Sequence, residues 1–285
     1  MSKMAKFFAV CSAVCVLGII LTVAGVATGG VQGLEKFEGS HSWFNVGPMN
    51  SETDLLEVGD YDSIKVDGNM DIAIIGPNFV DELDAEFAGE WLTEDYNEEL
   101  AGNVIVSWKQ ETEEPDIQVT EGVLTIKANE AGPDMEVNLS ADDSSPDIIV
   151  FCKGEEIKDV DISLGYGDIA IGGIKCENVN VNSKAGDIEL AEVDCGKMML
   201  KMNAGDIEFT NCKGDLGAEV NSGDIEFDTA LEMEEFTMDL HTYTGDVQIN
   251  DSDEEYHDFT FGSGPNKLTL KTKTGDIEAD FLRVD

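Results

Sequence analysis

An aspartate that follows a glycine recurs six times in the second half of the chain, and these residues are the best suited to chemistry. The pairs are Gly167 and Asp168, Gly186 and Asp187, Gly205 and Asp206, Gly223 and Asp224, Gly245 and Asp246, and Gly275 and Asp276. If the units stack in register, equivalent carboxylates lie about 5 Å apart. Calcium binds carboxylate and carbonyl oxygens, so Asp187, Asp206 and Asp224 are candidate ligands. The alternative is that each Asp accepts hydrogen bonds from backbone N–H groups of its own turn.

The cysteines outside the apolar N-terminal segment form a second candidate group: Cys152, Cys176, Cys195 and Cys212. The last three precede the glycine of their repeat by 10, 10 and 11 residues, which predicts a column of neighbouring thiols. Neighbours in adjacent coils would have Cα atoms within disulfide range. Buried free thiols are the alternative. No Cys-x-x-Cys motif or adjacent His accompanies them, so a zinc site is not expected.

The sequence contains no recognisable catalytic motif. His41, His241 and His257 are scattered, and there is no nucleophile elbow, phosphate loop or nucleotide fingerprint. Paired carboxylates do not indicate a glycosidase in a chain with 60 Asp and Glu residues. We therefore expect no enzymatic activity, no catalytic residue and no cofactor beyond the calcium considered above.

Short β-strands must position the repeated residues. The glycines follow one another at intervals of 19, 19, 18, 22 and 30 residues, and a period near 20 is typical of a solenoid. In VNVNSKAGDIEL, the apolar residues alternate with polar ones on both sides of the glycine, which indicates half-buried strands. Glycine supplies the positive φ of a sharp corner. The sequence predicts an all-β, single-chain β-solenoid with about 18–22 residues per coil, in which the stack forms the core.

The repeat is less regular nearer the N-terminus, and residues 79–116 interrupt it. That segment contains 13 acidic residues and the single Lys109. Phe79, Leu83, Phe87 and Trp91 recur in it every four residues. The spacing fits one amphipathic helix on the flank of the solenoid. An extended acidic insertion between strands fits equally.

Residues 7–28 are predicted to form a transmembrane anchor. Residues 7–26 are uncharged and, as a helix, would be about 30 Å long. Lys3 and Lys6 precede them, which favours an N-terminus inside the cell. A cleaved signal peptide is the alternative. The predicted organisation is a cytoplasmic N-terminus at 1–6, the anchor or signal peptide at 7–28, a linker or cap at 29–54, and an extracytoplasmic solenoid at 55–285 with its acidic insertion at about 79–116.

The net charge of −43 limits the possible partners. Binding to nucleic acid requires Lys and Arg to neutralise phosphates, so nucleic acid is not expected as a partner. Adsorption of the acidic part to an anionic lipid surface is disfavoured for the same reason. The expected contact with a membrane is through residues 7–28, and the remaining candidates are a protein or a cell-wall or surface polymer.

These features resemble a family of bacterial envelope proteins known as putative adhesins of unknown function, which are built from β-strand repeats. The resemblance rests on YDSIKVDGNMDIAI, on GVLTIKANEAG and on the run of SGDIEF-like units, and it covers roughly residues 55–283. The acidic 79–116 segment and the long 245–275 interval depart from the family pattern. The resemblance implies a β-repeat fold and supplies no catalytic residues.

The functional hypothesis is a non-catalytic, membrane-anchored extracytoplasmic protein that acts as an adhesin or binds the cell envelope. A rigid, repetitive scaffold without reaction machinery motivates it. The alternative is an accessory component of envelope-stress sensing that partners a membrane protein.

Overall fold

The computed structural model describes residues 51–77, 101–109, 114–128, 147–250, 252 and 256–282. The predicted anchor at 7–28 and most of the predicted linker lie outside the described residues. Within the described residues, no helix has the length and apolar character needed to cross a membrane.

The described strands form two ten-stranded sheets. Sheet A contains, in spatial order, β1 (Ser51–Glu57), β4 (Asn103–Lys109), β7 (Asp147–Phe151), β3 (Asp71–Ile75), β9 (Ile169–Gly172), β11 (Ile188–Ala191), β13 (Ile207–Thr210), β15 (Ile225–Glu232), β20 (Ile277–Leu282) and β17 (Val247–Ile249). Sheet B contains β18 (Asp258–Phe261), β16 (Phe236–Thr244), β19 (Asn266–Thr274), β14 (Lys213–Ser222), β12 (Asp194–Ala204), β10 (Lys175–Ala185), β8 (Glu156–Leu164), β2 (Ser63–Gly68), β6 (Val123–Lys127) and β5 (Asp116–Thr120). A 3₁₀ turn, Met233–Glu235, joins β15 to β16.

Each of the six coils that contain a Gly-Asp pair consists of a sheet B strand, a Gly-Asp corner and a sheet A strand. In the β12–β13 coil, Met198, Leu200 and Met202 are buried before the corner, and Ile207 and Phe209 are buried after it. These side chains alternate with polar residues that point away from the core, as strand geometry requires. The predicted all-β solenoid is confirmed, and its core lies between the two sheets.

Four phenylalanines pack together in the C-terminal half of this core. The ring centroids of Phe227 and Phe236 are 5.6 Å apart, and those of Phe236 and Phe281 are 5.3 Å apart. Phe209 contacts Phe227 from the preceding coil, with ring centroids 6.2 Å apart. Tilted and edge-on contacts of this kind stabilise the folded state by more than the burial of the aromatic rings alone.

The coils do not follow one another in chain order at the two ends of the stack. Strands β8 to β15 stack sequentially, but the β19–β20 coil lies between the β14–β15 and β16–β17 coils. At the other end, β2 and β3 separate β6 and β7 from β8 and β9. The expectation that successive units are always spatial neighbours is therefore wrong in these two places. The 30-residue interval before Gly275 is long because the chain must form β18 and return to an inner position.

Antiparallel strands close the ends of the parallel stack. Strand β18 pairs with β16, β5 pairs with β6, and β4 pairs with both β1 and β7. Strand β4 falls within the segment 79–116 that the sequence predicts as an insertion, so residues 103–109 belong to the sheet instead. The rest of that segment, except residues 101–102 and 114–116, lies outside the described residues.

The corner glycines are required by both conformation and space. The six glycines have φ between 123° and 146°, a region that side-chain-bearing residues rarely adopt. A Cβ atom on Gly205 would lie 2.1 Å from the carbonyl oxygen of Gly186 in the coil beneath, and the other five corners are similarly crowded. In the β2–β3 coil, Met70 takes the place of the glycine, and its carbonyl lies under Gly167.

Gly205→Ala is expected to lower the free energy of unfolding by about 3 kcal/mol, because it combines backbone strain with a clash against backbone atoms. Denaturant unfolding of the purified chain measures this. Gly154→Ala is the matched control, since no atom lies within 4 Å of its added Cβ. The control should change stability by less than about 1 kcal/mol, and equal losses in the two variants would contradict the stacking account.

Candidate binding surface

The corner aspartates form one continuous hydrogen-bonded ladder along the stack. The backbone N–H of Asp206 donates to Oδ1 of Asp187 at 2.9 Å, and the N–H of Asp224 donates to Oδ1 of Asp206 at 2.7 Å. In spatial order, the ladder runs through Asp71, Asp168, Asp187, Asp206, Asp224, Asp276 and Asp246. Each carboxylate before Asp246 therefore accepts a hydrogen bond from the next coil, whereas the own-turn interpretation of the sequence placed its hydrogen bonds within one coil.

A histidine lies at the C-terminal end of this ladder. Nδ1 of His257 donates to the carbonyl oxygen of Gly245 at 2.8 Å. The same nitrogen lies 3.9 Å from Oδ1 of Asp246, the last carboxylate of the ladder. His241 pairs with Asp258 where β16 meets β18. His241 and His257 thus both lie at the end of the stack that β16, β17 and β18 form. His41 lies outside the described residues.

The predicted calcium ligands use their carboxylates for hydrogen bonds between coils. Asp187, Asp206 and Asp224 each use Oδ1 to accept a backbone N–H group. Among the described residues, no group of three or more His, Cys, Asp or Glu side chains is placed to bind a metal ion. The column predicted from the sequence exists, but its geometry serves hydrogen bonding between coils.

The predicted column of three cysteines is reduced to two. Cys176 and Cys195 are direct register partners on β10 and β12. Lys213 is the register partner of Asp194, so Cys212 lies two positions before Gly214, the residue that faces Cys195. The 11-residue spacing before the glycine and the register shift between Asp194 and Lys197 together produce this offset.

All four described cysteines are free thiols. Burial raises the pKa of both Cys152 and Cys212 to about 12. A hydrogen bond to Cys195, followed by burial, raises the pKa of Cys176. Since the thiolate is the reactive form, these raised pKa values make the three thiols poor nucleophiles.

The outer face of sheet A, which points away from the core, carries two rows of side chains in register. The first row contains Ile149, Ala73, Ala170, Glu189, Glu208, Glu226, Glu278 and Gln248. The second contains Phe151, Ile75, Gly172, Ala191, Thr210, Asp228 and Asp280. Both rows change from apolar to acidic along the stack. We name Ala73, Ile75, Phe151, Ala170, Gly172 and Ala191 the apolar patch, and Glu208, Glu226, Glu278, Asp228 and Asp280 the acidic patch.

Basic residues are segregated onto the other sheet. In the described strands of sheet A, Lys109 of β4 is the only basic residue, and it lies near the far edge from the acidic patch. On sheet B, Lys201 pairs with Glu219 at 3.4 Å and Lys267 pairs with Asp215 at 2.9 Å, each across adjacent coils. Exposed pairs of this kind contribute little stability. Their effect is to balance charge on sheet B, whereas the described strands of sheet A place no basic residue within the acidic patch.

Glu189 lies at the border between the two patches, and its carboxyl group is shielded from water. Its Oε2 atom is buried and has no hydrogen-bond partner among the described residues. Burial, followed by the charges of Glu208, Asp168 and Asp187, raises the pKa of Glu189 to about 7. The pKa of Glu226 is also raised, by burial and by the charge of Glu208 and its other acidic neighbours. Burial, together with repulsion along the row, therefore disfavours the charged form of these two carboxyl groups.

The sequence analysis missed the division of this face into two patches. The sequence shows the glutamates of the SGDIEF-like units as a column. Ala73 and Ala170 occupy the equivalent positions in other repeats, but small apolar residues do not by themselves indicate a binding surface. The change from apolar to acidic residues can be read from the sequence when equivalent positions are compared across all repeats, including the irregular first one. Its placement on one continuous face depends on the out-of-order stacking of β2, β3 and β19, β20.

The fold and its corners define a β-solenoid domain of stacked two-strand coils. Residues 151–280 match the family model described as Toastrack DUF4097. The resemblance to a family of β-strand repeats of unknown function is thereby confirmed. No curated protein matches the sequence.

Several solved structures are similar at low identity. A putative cell adhesion protein from Clostridium sporogenes is 13% identical, with 81% of this chain and 98% of that chain covered and a TM-score of 0.45. A putative adhesin from Bacteroides fragilis is 12% identical, with the same coverage and a TM-score of 0.43. A putative lipid binding protein from Parabacteroides distasonis is 14% identical, with 81% and 98% covered and a TM-score of 0.36.

Asp206→Ala is expected to lower the free energy of unfolding by about 1 kcal/mol, because it removes one exposed hydrogen bond between coils. Asp206→Asn keeps an acceptor oxygen and should be nearly neutral. Hydrogen exchange distinguishes the two roles of the side chain. The ladder predicts faster exchange at the amide of Asp224, whereas a cap on its own turn would expose amides within residues 206–208.

Glu189→Gln is expected to stabilise the protein at pH 8 and to have no effect at pH 4. The folded pKa of about 7 lies above the usual glutamate value of 4.5, so the folded state loses stability as pH rises from about 4.5 through about 7. Because the side chain is half-exposed, solvent screening limits the gain to about 1 kcal/mol, or roughly 2–4 °C in melting temperature.

Thermal melts of the Glu189→Gln variant between pH 4 and pH 8 test this dependence. Glu219→Gln is the control, since Glu219 pairs with Lys201 and its removal relieves no repulsion. A gain that is equal at both pH values would show that ionisation of Glu189 does not cause it.

Proposed function

We propose that this chain is a non-catalytic, membrane-anchored envelope protein that binds a macromolecular partner through the acidic patch. In this proposal, residues 7–28 anchor the protein with its N-terminus inside, and the solenoid stands outside the cytoplasm. The binding role is that of an adhesin or of a protein that contacts the cell envelope.

The in-register acidic row is the observation that carries the proposal. Glu208, Glu226 and Glu278 occupy equivalent positions on adjacent strands, about 4.8 Å apart. Such a row costs stability, because like charges at this spacing repel one another by about 0.8 kcal/mol per pair in water. A partner with positive charge would relieve the repulsion on binding.

The charge of the patch selects the class of partner. A surface rich in carboxylates attracts a partner with a basic surface and repels nucleic acids and other polyanions. The strands that carry the patch are held by pairing on both sides, so little ordering is needed on binding. A basic protein surface or an amine-bearing wall or matrix polymer fits these requirements.

The double variant Glu226→Lys and Glu278→Lys should weaken binding about tenfold, because it reverses two charges at the centre of the contact. The full chain in detergent is immobilised and tested against basic proteins, wall polymers and matrix components. Binding should also fall as salt is raised, since exposed charges are screened beyond about 8 Å at physiological ionic strength.

The control is Glu219→Lys with Asp239→Lys, which makes the same change of charge on sheet B. Equal losses in both double variants would exclude the acidic patch as the contact surface. If only a membrane protein co-purifies and no polymer or matrix component binds, the adhesin role fails. The role in envelope-stress sensing is then supported instead.

A further inference from the structure

Two cysteines on adjacent coils of sheet B are held side by side. Cys176 of β10 and Cys195 of β12 are direct register partners. Neighbouring strands lie about 4.8 Å apart, and the Cα atoms of a disulfide are usually about 4.4–6.8 Å apart. The thiol of Cys176 is also close enough to form a hydrogen bond with that of Cys195. The fold therefore brings these two sulfur atoms together.

The positions on either side of this pair carry no thiol. On β8, Ile157 is the register partner of Cys176. On β14, Gly214 faces Cys195, and a Cβ atom there would lie 3.6 Å from the sulfur of Cys195. Within this row of the sheet, each of the two cysteines therefore has the other as its thiol neighbour.

The other two described cysteines are buried and already engaged. Cys212 is 0% exposed, and its sulfur donates to the carbonyl oxygens of Leu190 and Thr210 at 3.5 Å and 3.6 Å. Cys152 is 1% exposed, and its thiol forms a hydrogen bond with Tyr61. Four cysteines allow three sets of pairs, and these contacts favour the set that joins the two register partners.

The register partners differ in exposure, which suits a stepwise oxidation. Cys176 is half-buried and can be reached from solvent, whereas Cys195 is buried. Gly196 follows Cys195, and the register of β12 on β14 shifts between Asp194 and Lys197. A disulfide requires Cβ atoms about 3.8 Å apart, which is closer than adjacent strands usually bring them. The irregular stretch around Gly196 permits this approach, because glycine and a register shift both relax the strand.

We propose that Cys176 and Cys195 are a site of reversible oxidation, at which a disulfide joins the β10–β11 coil to the β12–β13 coil. The oxidant is a small disulfide such as oxidised glutathione. The thiolate of Cys176 attacks one sulfur of the oxidant, whose S–S bond breaks, and the leaving thiolate takes up the proton that Cys176 lost. Cys195 then attacks the sulfur of Cys176, and a second small thiol leaves with the proton of Cys195. Two protein thiols are oxidised, and one small disulfide is reduced to two thiols.

This exchange is expected to be slow. The hydrogen bond to Cys195, burial and the charges of Asp194 and Asp159 raise the pKa of Cys176. Because the thiolate is the reactive form, oxidation should take hours, at the slow end of the range for disulfide formation. The reduced chain therefore keeps its thiols during brief exposure and forms the bond on prolonged exposure.

The disulfide would fasten two coils that share the border between the surface patches. The same coils carry Glu189 and Glu208, which are register partners on β11 and β13. In a solenoid each coil is stabilised mainly by its nearest neighbours, so a covalent bond between two coils opposes their separation. The bond also closes one complete coil into a loop, which restricts the unfolded chain. Its formation does not depend on the partner that the acidic patch binds.

Peptide mapping of the full chain in detergent tests this pairing. Trypsin cleaves after lysine, so Cys176, Cys195 and Cys212 fall in three separate peptides, 176–184, 185–197 and 202–213. The reduced chain is incubated with oxidised glutathione overnight, its remaining thiols are alkylated in denaturant, and it is digested without reductant. Peptides 176–184 and 185–197 should be joined, with the loss of two hydrogen atoms, in about nine-tenths of the chains whose Cys176 is oxidised.

The same digest contains the outcomes that would overturn the proposal. Cys195 joined to Cys212 would assign the bond to another pair. A lasting glutathione adduct on Cys176, or complete alkylation of Cys176 and Cys195, would show that the folded geometry does not allow the bond. A chain that forms the bond only when oxidised in denaturant would lead to the same conclusion.

Thermal melting of the oxidised and reduced chains provides a second measurement. The oxidised chain should melt roughly 5 °C higher, because the bond closes a loop of one coil. Cys176→Ser should remove this difference, whereas the matched control Cys212→Ser should keep it. Equal shifts on oxidation in the wild-type chain and in Cys176→Ser would overturn the proposal. The peptide map of the wild-type chain remains decisive if either variant does not fold.

Discussion

The close stacking of one Gly-Asp corner on the next is the constraint on which this structure depends. The carbonyl oxygen of each corner glycine lies where the Cβ of the next corner would be, so only glycine fits. The adjoining aspartate then accepts the backbone N–H of the next aspartate. These two contacts fix the spacing and the register of neighbouring coils. A corner is therefore a joint between coils as much as a turn within one.

Fixed register converts a sequence repeat into a surface. Equivalent positions of successive units become neighbours about 4.8 Å apart, so a residue type that recurs in the sequence becomes a row on the sheet. On sheet B the rows alternate in charge, and several lysines pair with acidic residues of the adjacent coil. On sheet A the described row of glutamates has no such lysine partners, and burial together with neighbouring acidic charges raises the pKa of Glu189. That face is where the fold retains unfavourable electrostatics, which is characteristic of a functional surface.

The ends of the stack obey a different requirement. A parallel stack leaves two open edges with unpaired backbone groups, which favour association with other chains. Antiparallel strands β18 and β5 cover the edges of sheet B, and β1 and β4 extend the far edge of sheet A. The β19–β20 coil completes the stack by entering between two coils that precede it in the chain. Pairing over this longer separation costs additional loop-closure entropy, and this cost rises only slowly with loop length. The same arrangement lets His257 lie beside Asp246 at the end of the aspartate ladder.

The sequence by itself determined the repeat, the strand alternation and the positions of the corners, because all three follow from local periodicity and from the conformational freedom of glycine. It also identified the aspartates as a column, but not what they bind. The acceptor role of Asp206 toward Asp224 depends on the next coil, which local turn chemistry does not include. Only the tertiary structure decided the spatial order of the coils, the displacement of Cys212 from the thiol column and the union of Ala73, Ala170 and Glu189 in one row. The physical reason is that alternation specifies which side of a strand a residue occupies, whereas its neighbours on that side are set by pairing between segments distant in the chain.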